Sequence, residues 1–161
     1  MLLIGIIANK KDTQAIRKDI ISNDIEIIDI NEESIGNLKN ITFDEIIIMR
    51  SINLKEETYK YISEIISKVK YLIINADIEI DILKKIDIKN PIKLITFGFN
   101  TKATITISSI QEDKIIICLQ RNVEKENKDI IEAREIEISN PKNKKIYNNL
   151  IVFIIKELHN L

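Results

Sequence analysis

The chain has few of the residues that interrupt regular structure and few of those that carry redox or metal chemistry. Its 161 residues include three glycines, two prolines, one cysteine, one histidine and no tryptophan. A single cysteine, Cys118, excludes an intrachain disulfide, and a single histidine leaves a zinc site without ligands to close it. The 24 basic and 25 acidic side chains nearly cancel. The chain therefore has no net field to attract nucleic acid or an anionic membrane.

Long apolar runs are also missing. No run approaches the roughly 18 residues that a membrane span requires. The first residues, MLLIGIIANKKD, place basic side chains after a short apolar run, whereas a secretory signal places them before it. We therefore expect a soluble, cytoplasmic protein whose partners include neither nucleic acid nor a membrane.

Isoleucine is the residue that the chain has in abundance, at about a quarter of the sequence. Strand propensity is raised everywhere as a result, so the periodicity of apolar residues is the better guide to structure. Five short apolar runs are typical of buried parallel strands, at 2–8, 25–30, 43–49, 71–77 and 92–99. Helical spacing occurs at 12–22, at 55–70 and briefly at 80–86. This alternation predicts a three-layer, doubly wound α/β sheet of the Rossmann-like class.

The pattern changes after residue 100, where the segments ATITISSI and KIIICLQR are separated by three residues. Strands so close together must pair antiparallel. A third strand is predicted at 130–139, and the polar link before it is predicted to be a loop. We expect one domain over 1–161, with a parallel layer at 1–100, an antiparallel extension at 101–139 and a helix at 140–161. The free edge of the extension favours pairing with a second copy, which predicts a homodimer.

Capping signals mark two helix starts. Asp12 or Thr13 can cap the first helix, and Asn140 followed by Pro141 predicts the start of the last one. Apolar residues wrap most of the way round the last helix, so we expect it to be buried against the sheet. His159 lies in its final turn, where an exposed residue that complements the helix dipole is a better interpretation than a general base.

The order of these features resembles the central domain of the Mur ligase family. The matching positions, spread over roughly 41–157, are Asn75, Ala76 and Asp77 after one strand, Thr96, Phe97 and Gly98 at the end of the next, and Tyr147 with Asn148 at the start of the last helix. Mur ligases are ATP-dependent amide ligases that add amino acids to peptidoglycan precursors. The resemblance implies an α/β domain of Mur-ligase type and a connection with the cell envelope.

The catalytic parts of that family have no counterpart here. The family's glycine-rich phosphate loop corresponds to IIANKKDTQ, which has no glycine after Gly5. The metal-binding histidine is absent, Ser63 or Glu64 stands where a carbamylated lysine is expected, and Lys145 replaces the asparagine that touches adenine. The resemblance therefore implies a pseudoenzyme with no catalytic residue, no metal and no cofactor.

Polar side chains follow two neighbouring strands of the predicted sheet. Asp77, Glu79 and Asp81 come after the fourth strand, where open α/β sheets bind ligands. Asn75 and Asn100 end or follow neighbouring strands and are expected to face the same crevice. We predict a ligand site at Asn75, Asp77 and Asn100, although capping of the next helix is the simpler role for Asp77.

Gln120 and Arg121 end the hairpin and precede a polar link, a position that suits contact with a protein partner. The sequence thus favours a non-catalytic Mur-ligase-like domain that binds a protein or itself. Two alternatives stay open. One is a small-ligand or nucleotide sensor that keeps the crevice without the reaction, and the other is a ligase subunit completed by a partner chain.

Overall fold

A computed structural model of the protein describes residues 1–79, 82–85, 88 and 90–161. In chain order its elements are β1 (Leu2–Ile7), α1 (Lys10–Asp19), β2 (Ile25–Asp29), α2 (Ile35–Leu38), β3 (Glu45–Ile48), α3 (Glu56–Ile66), β4 (Tyr71–Asn75), α4 (Ile82–Lys85), β5 (Lys93–Gly98), β6 (Ile105–Ile110), β7 (Lys114–Leu119), β8 (Val123–Glu124), β9 (Ile130–Ile131), β10 (Arg134–Ser139) and α5 (Ile146–His159). None of the described helices is long and apolar enough to cross a membrane.

Eight strands form one mixed sheet in the order β10-β7-β6-β5-β4-β3-β1-β2. From β2 to β5 every neighbouring pair is parallel, so the predicted α/β class with a mainly parallel sheet is confirmed. β7 is antiparallel to β6, as the short link predicted, and it is also antiparallel to β10. The extension is continuous with the parallel layer because β6 pairs with β5.

The junction between β5 and β6 displaces the extension along the strand direction. β6 begins beside Phe97 and Gly98, the last two residues of β5, and runs parallel to them. Thr96 and Thr104 join the two strands, because the amide of each donates to the other's hydroxyl oxygen, at 3.2 and 2.9 Å. The extension therefore projects beyond the carboxyl edge of the parallel strands, next to the crevice where the sequence places its candidate site.

Two apolar clusters cover the sheet unequally. On one face α1 and α5 pack against strands from β1 to β7. On the other face α2 and α3 pack against β1, β3 and β4, and among the described residues that cluster includes none from β6, β7 or β10. Burial of each large aliphatic side chain contributes about 2 kcal/mol. The shared face of α1 and α5 therefore holds the parallel layer and the extension together.

Both predicted helix caps are wrong. α1 begins at Lys10 with Asn9 at its N-cap, so Asp12 and Thr13 lie inside its first turn. α5 begins at Ile146, several residues after Asn140. The reason is that the Asn140 amide donates to the Asp113 carbonyl oxygen at 2.7 Å, which continues the ladder between β10 and β7 and keeps the chain extended.

The polar link and its neighbours also differ from expectation. Val123–Glu124, which lies in the predicted loop, pairs in a small two-stranded sheet with Ile130–Ile131, the start of the strand predicted at 130–139. The long strand β10 begins only at Arg134. Val123 and Ile131 are buried in the larger cluster, which explains why so polar a segment is ordered there. The helix expected at 80–86 is present at Ile82–Lys85, and the remainder of that range lies outside the described residues. α2, which was not predicted, buries its two apolar ends.

Candidate functional site

The carboxylate of Asp77 joins three parts of the fold at the carboxyl edge of the sheet. It follows β4 and accepts hydrogen bonds from the backbone amides of Phe99 and Asn100, both at 2.7 Å. The Tyr147 hydroxyl, in the first turn of α5, also donates to it at 2.7 Å. Gly98 permits this approach because its φ is +142° and a Cβ there would collide with the carboxylate. Asp77 therefore ties β4, the β5–β6 turn and α5 together.

Asn75 and Asn100 lie beside Asp77, as the sequence predicted. The Asn75 side-chain oxygen accepts a hydrogen bond from the Asp77 amide at 3.0 Å, and its amide group donates to the Met49 carbonyl at 3.4 Å. The Asn100 side chain donates to the Ala76 carbonyl at 3.3 Å. The three predicted residues thus form one cluster, and each uses its polar side-chain atoms to bind neighbouring backbone or side-chain groups.

Both the hydroxyl and the ring of Tyr147 make contacts near the carboxyl edge of the sheet. Its ring meets those of Phe97 and Phe99 edge to face, with centroids 6.1 Å apart in each case. Burial, and then the hydrogen bond to Asp77, raise the pKa of Tyr147 to about 12. The hydroxyl therefore remains a donor at any physiological pH.

Gln120 and Arg121 contact the turn that supplies the two amides to Asp77. The Gln120 side chain donates to the Thr101 carbonyl at 2.6 Å, and the Arg121 guanidinium donates to the Lys102 carbonyl at 3.1 Å. Both side chains thus support the cluster around Asp77. Their predicted contact with a protein partner stays a prediction. Of the other acids that follow β4, Glu79 pairs with Lys84 and Asp81 lies outside the described residues.

The topological switch point of the sheet lies between β1 and β3, since β2 and β4 lie on opposite sides of that pair. Arg50, just after β3, donates from Nε to the Ala8 carbonyl at 3.2 Å and from Nη1 to the Ser51 carbonyl at 2.9 Å. Its guanidinium also pairs with Glu32 at 3.2 Å, and that bond lowers the pKa of the Glu32 carboxyl. Arg50 therefore bridges the two strands where ligands enter related sheets.

A second polar cluster joins α1 to α5. The Asp12 carboxylate binds the Lys145 ammonium at 2.7 Å and the Asn148 side-chain amide at 3.1 Å. Burial acts to raise the pKa of Asp12, but the hydrogen bonds from Lys145 and Asn148 outweigh it, so the pKa lies below the ordinary value of 3.8. Asp12, predicted as a cap, instead anchors the start of α5.

A groove of about 390 Å³ opens beside this cluster. Its lining includes the four lysines Lys11, Lys18, Lys144 and Lys145. Asn148 is 5% exposed, and its side-chain oxygen has no hydrogen-bond partner within the described part of the chain. The groove thus combines cationic side chains with one unsatisfied acceptor.

The opposite edge of the sheet holds a pair that sequence reasoning missed. Glu45, the first residue of β3, is fully buried, and one of its oxygens lies 2.7 Å from His159 Nε2. The His159 side chain is 15% exposed, so its interpretation as an exposed residue was wrong. The second Glu45 oxygen has no partner among the described residues. A sequence signal existed, because Glu45 interrupts the apolar run FDEIIIM.

Potential metal-ligating side chains lie apart from one another in the described part of the chain. Within residues 1–79, 82–85, 88 and 90–161, no group of three His, Cys, Asp or Glu side chains is placed to hold a metal ion. Cys118 is a free, half-buried thiol. Comparison with family models and with curated proteins finds no match to this chain.

Proposed function

We propose that the chain is a non-catalytic domain of the Mur-ligase type that acts as a protein-interaction or self-assembly module connected with the cell envelope. The observation that carries the proposal is the filling of the carboxyl-edge crevice by the chain's own side chains. Asp77 accepts three hydrogen bonds from within the chain, and Arg50 bridges β1 and β3.

The segment between β1 and α1 also supports a non-catalytic role. A phosphate loop needs glycines so that successive amides can turn toward the phosphate, and the segment between β1 and α1 has Ala8 and Asn9 instead. The Ala8 carbonyl is bound by Arg50. A nucleoside triphosphate bound between β1 and α1 must displace the contact between Arg50 and the Ala8 carbonyl. It would not gain a set of backbone amides turned toward its phosphates in return.

The Mur-ligase assignment is supported by the order of elements around Asp77. A strand ending in an Asn-Ala-Asp turn precedes a strand ending in Phe97 and Gly98, an antiparallel hairpin follows, and the next long helix begins just before Tyr147. Asp77 accepts a hydrogen bond from Tyr147 and lies so close to Gly98 that a Cβ there would collide with it. This contact gives the matched positions a shared structural role that does not require catalysis.

The proposal is tested by incubating the purified chain with ATP and Mg²⁺, with and without amino-acid and peptidoglycan-precursor substrates. We expect no release of phosphate above the protein-free control and no rise in melting temperature with ATP. Hydrolysis that depends on substrate would overturn the proposal. The Arg50→Ala variant is a useful control, because opening the switch point should not by itself create hydrolysis.

The groove between α1 and α5 favours a second candidate, a sensor of small anions or nucleotides. Lys144 and Lys145 are paired with Asp19 and Asp12 of the same groove, whereas Lys11 and Lys18 have no ion-pair partner among the described residues and suit an anionic group. Isothermal titration with ATP and with inorganic phosphate tests this candidate. Binding that is lost in Lys18→Ala but kept in Lys68→Ala, a lysine outside the groove, would support a sensor, and absence of binding at millimolar ligand would reject it.

A further inference from the structure

Strand β10 leaves the backbone groups of Glu135 and Glu137 without partners in the described part of the chain. Among the described strands its neighbour is β7, with Ile136 opposite Ile117. The hydrogen bond from the Asn140 amide to the Asp113 carbonyl shows which residues of β10 are bonded to β7. Because bonded positions recur at every second residue of an antiparallel pair, Arg134, Ile136 and Ile138 bond to β7. The amides and carbonyls of Glu135 and Glu137 therefore point outward.

The side chains of β10 separate by charge across the two faces of the sheet. Glu135 and Glu137 are exposed on one face, where Glu137 binds Lys114 of β7 at 2.7 Å. Ile136 and Ile138, on the other face, pack against the cluster beneath α5. The edge thus carries two glutamates on one side, and on the other side two isoleucines with the exposed Arg134 beside them.

Pairing of β10 with a second copy of itself brings carboxylates together. A two-fold axis through such a pair places outward-pointing residues opposite one another, and these are Glu135 and Glu137. Three registers bring the centres of the two strands together. In the first, Glu135 lies opposite Glu135 of the second copy, and in the second, Glu137 lies opposite Glu137. In the third, Glu135 of each copy lies opposite Glu137 of the other. Like charges directly opposite destabilise a strand pair, so at this edge another protein is a better partner than the second copy that the sequence predicted.

We propose that the β10 edge binds, by strand addition, an extended segment of another protein in which basic and apolar side chains alternate. Two amides and two carbonyls from Glu135 and Glu137 supply the main-chain bonds. Basic side chains of the partner lie opposite the two glutamates, and its apolar side chains extend the surface of Ile136 and Ile138. This inference rests on the proposed function as an interaction module and names its surface and its partner's chemistry.

The direct test titrates the full chain with a fluorescent peptide in which lysine alternates with valine, and with a matched peptide in which glutamate replaces lysine. We expect the lysine peptide to bind at least about tenfold more tightly, from two favourable cross-strand charge pairs against two unfavourable ones. In the variant Glu135→Lys/Glu137→Lys the preference should reverse. The variant Glu26→Lys, which changes an exposed glutamate on β2 at the opposite edge of the sheet, should leave it unchanged.

Equal affinity for the two peptides, or a preference that survives the double reversal, would overturn the inference. A lysine peptide with N-methyl groups on alternate residues separates strand addition from simple charge attraction. Loss of binding supports strand addition, since the methylated peptide cannot donate main-chain bonds, and unchanged binding overturns it.

A second measurement needs no partner. In Glu135→Lys the register that opposes residues 135 and 137 contains two oppositely charged pairs, so this variant should dimerise through β10 in sedimentation experiments while Glu26→Lys should not. A monomeric Glu135→Lys variant would show that the edge is closed and would overturn the inference. The proposed function is judged separately by ATP hydrolysis, so failure of the inference and failure of the proposed function give different results.

Discussion

The two ends of helix α5 are anchored to opposite edges of the sheet in different ways. At its start, Tyr147 and Asn148 bind Asp77 and Asp12, and each of these acids has further partners. At its other end, a single contact from His159 reaches the buried Glu45. We therefore expect the distributed anchor to tolerate the loss of one bond, and the fully buried Glu45 with its one side-chain contact to His159 not to.

The largest expected effect follows from removing His159. The variant His159→Ala leaves the fully buried Glu45 carboxylate without a partner, which should lower the free energy of unfolding by about 3 kcal/mol. Urea denaturation at neutral pH measures this loss. If the single variant does not fold, the double variant Glu45→Leu/His159→Leu should recover most of the stability, because an apolar pair has no charge to desolvate. A loss below about 1 kcal/mol in His159→Ala would show that the pair behaves like a surface ion pair.

The next largest effect is expected at Gly98 of β5, which lies against the Asp77 anchor at the start of α5. The variant Gly98→Ala should cost about 2 kcal/mol, because alanine is strained at this backbone angle and its Cβ would collide with the Asp77 carboxylate. Adding Asp77→Ala removes the collision but keeps the backbone strain. The double variant should therefore be less destabilised than the sum of the two single variants. Additive losses in urea denaturation would mean that the collision does not contribute.

The fold was more predictable than the ends of its elements. The parallel strands from β1 to β5 are rich in consecutive apolar residues, and this signal does not depend on what the strand contacts. The start of α5 was misplaced because Asn140 and Pro141 have the local signature of a helix start, whereas a long-range bond from Asn140 to Asp113 keeps the chain extended. β8 was missed, and β9 was predicted as part of the strand at 130–139, because the pairing of these two short strands depends on burial of Val123 and Ile131 in a distant cluster.

The candidate site was predictable where it follows from strand ends. Asn75, Asp77 and Asn100 meet because the carboxyl ends of neighbouring parallel strands share one edge. Arg50 was not identified, since the switch point is defined by strand order, which periodicity does not provide. The contact between Glu45 and His159 spans 114 residues, and no local pattern connects them.

A smaller effect is expected for Tyr147→Phe, which removes one of the three hydrogen bonds to Asp77. The loss at neutral pH should be about 1 kcal/mol, well below that for His159→Ala if the comparison holds. The pH dependence is more specific. The unfolded chain releases this proton near pH 10.0 and the folded chain near pH 12, so the contribution is present below pH 10 and lost as the pH rises toward 12. Stability of Tyr147→Phe should decline less over this range, and an identical decline would show that Tyr147 is not the titrating group.

The smallest effect is expected at Lys145, whose bond to Asp12 is one of several that this carboxylate accepts. The variant Lys145→Ala should cost about 0.5 kcal/mol at neutral pH and less at high salt. The lowered pKa of Asp12 means that its contribution is present above pH 3.8 and is lost as the pH falls. Without Lys145 the pKa rises toward its ordinary value, so the variant should lose less stability than the parent on acidification. Lys142→Ala is the matched control, because Lys142 pairs with the exposed Glu112 and should leave the acid dependence unchanged. A cost at Lys145 as large as that at His159 would mean that the start of α5 also depends on a single contact, and the contrast between its two ends would no longer hold.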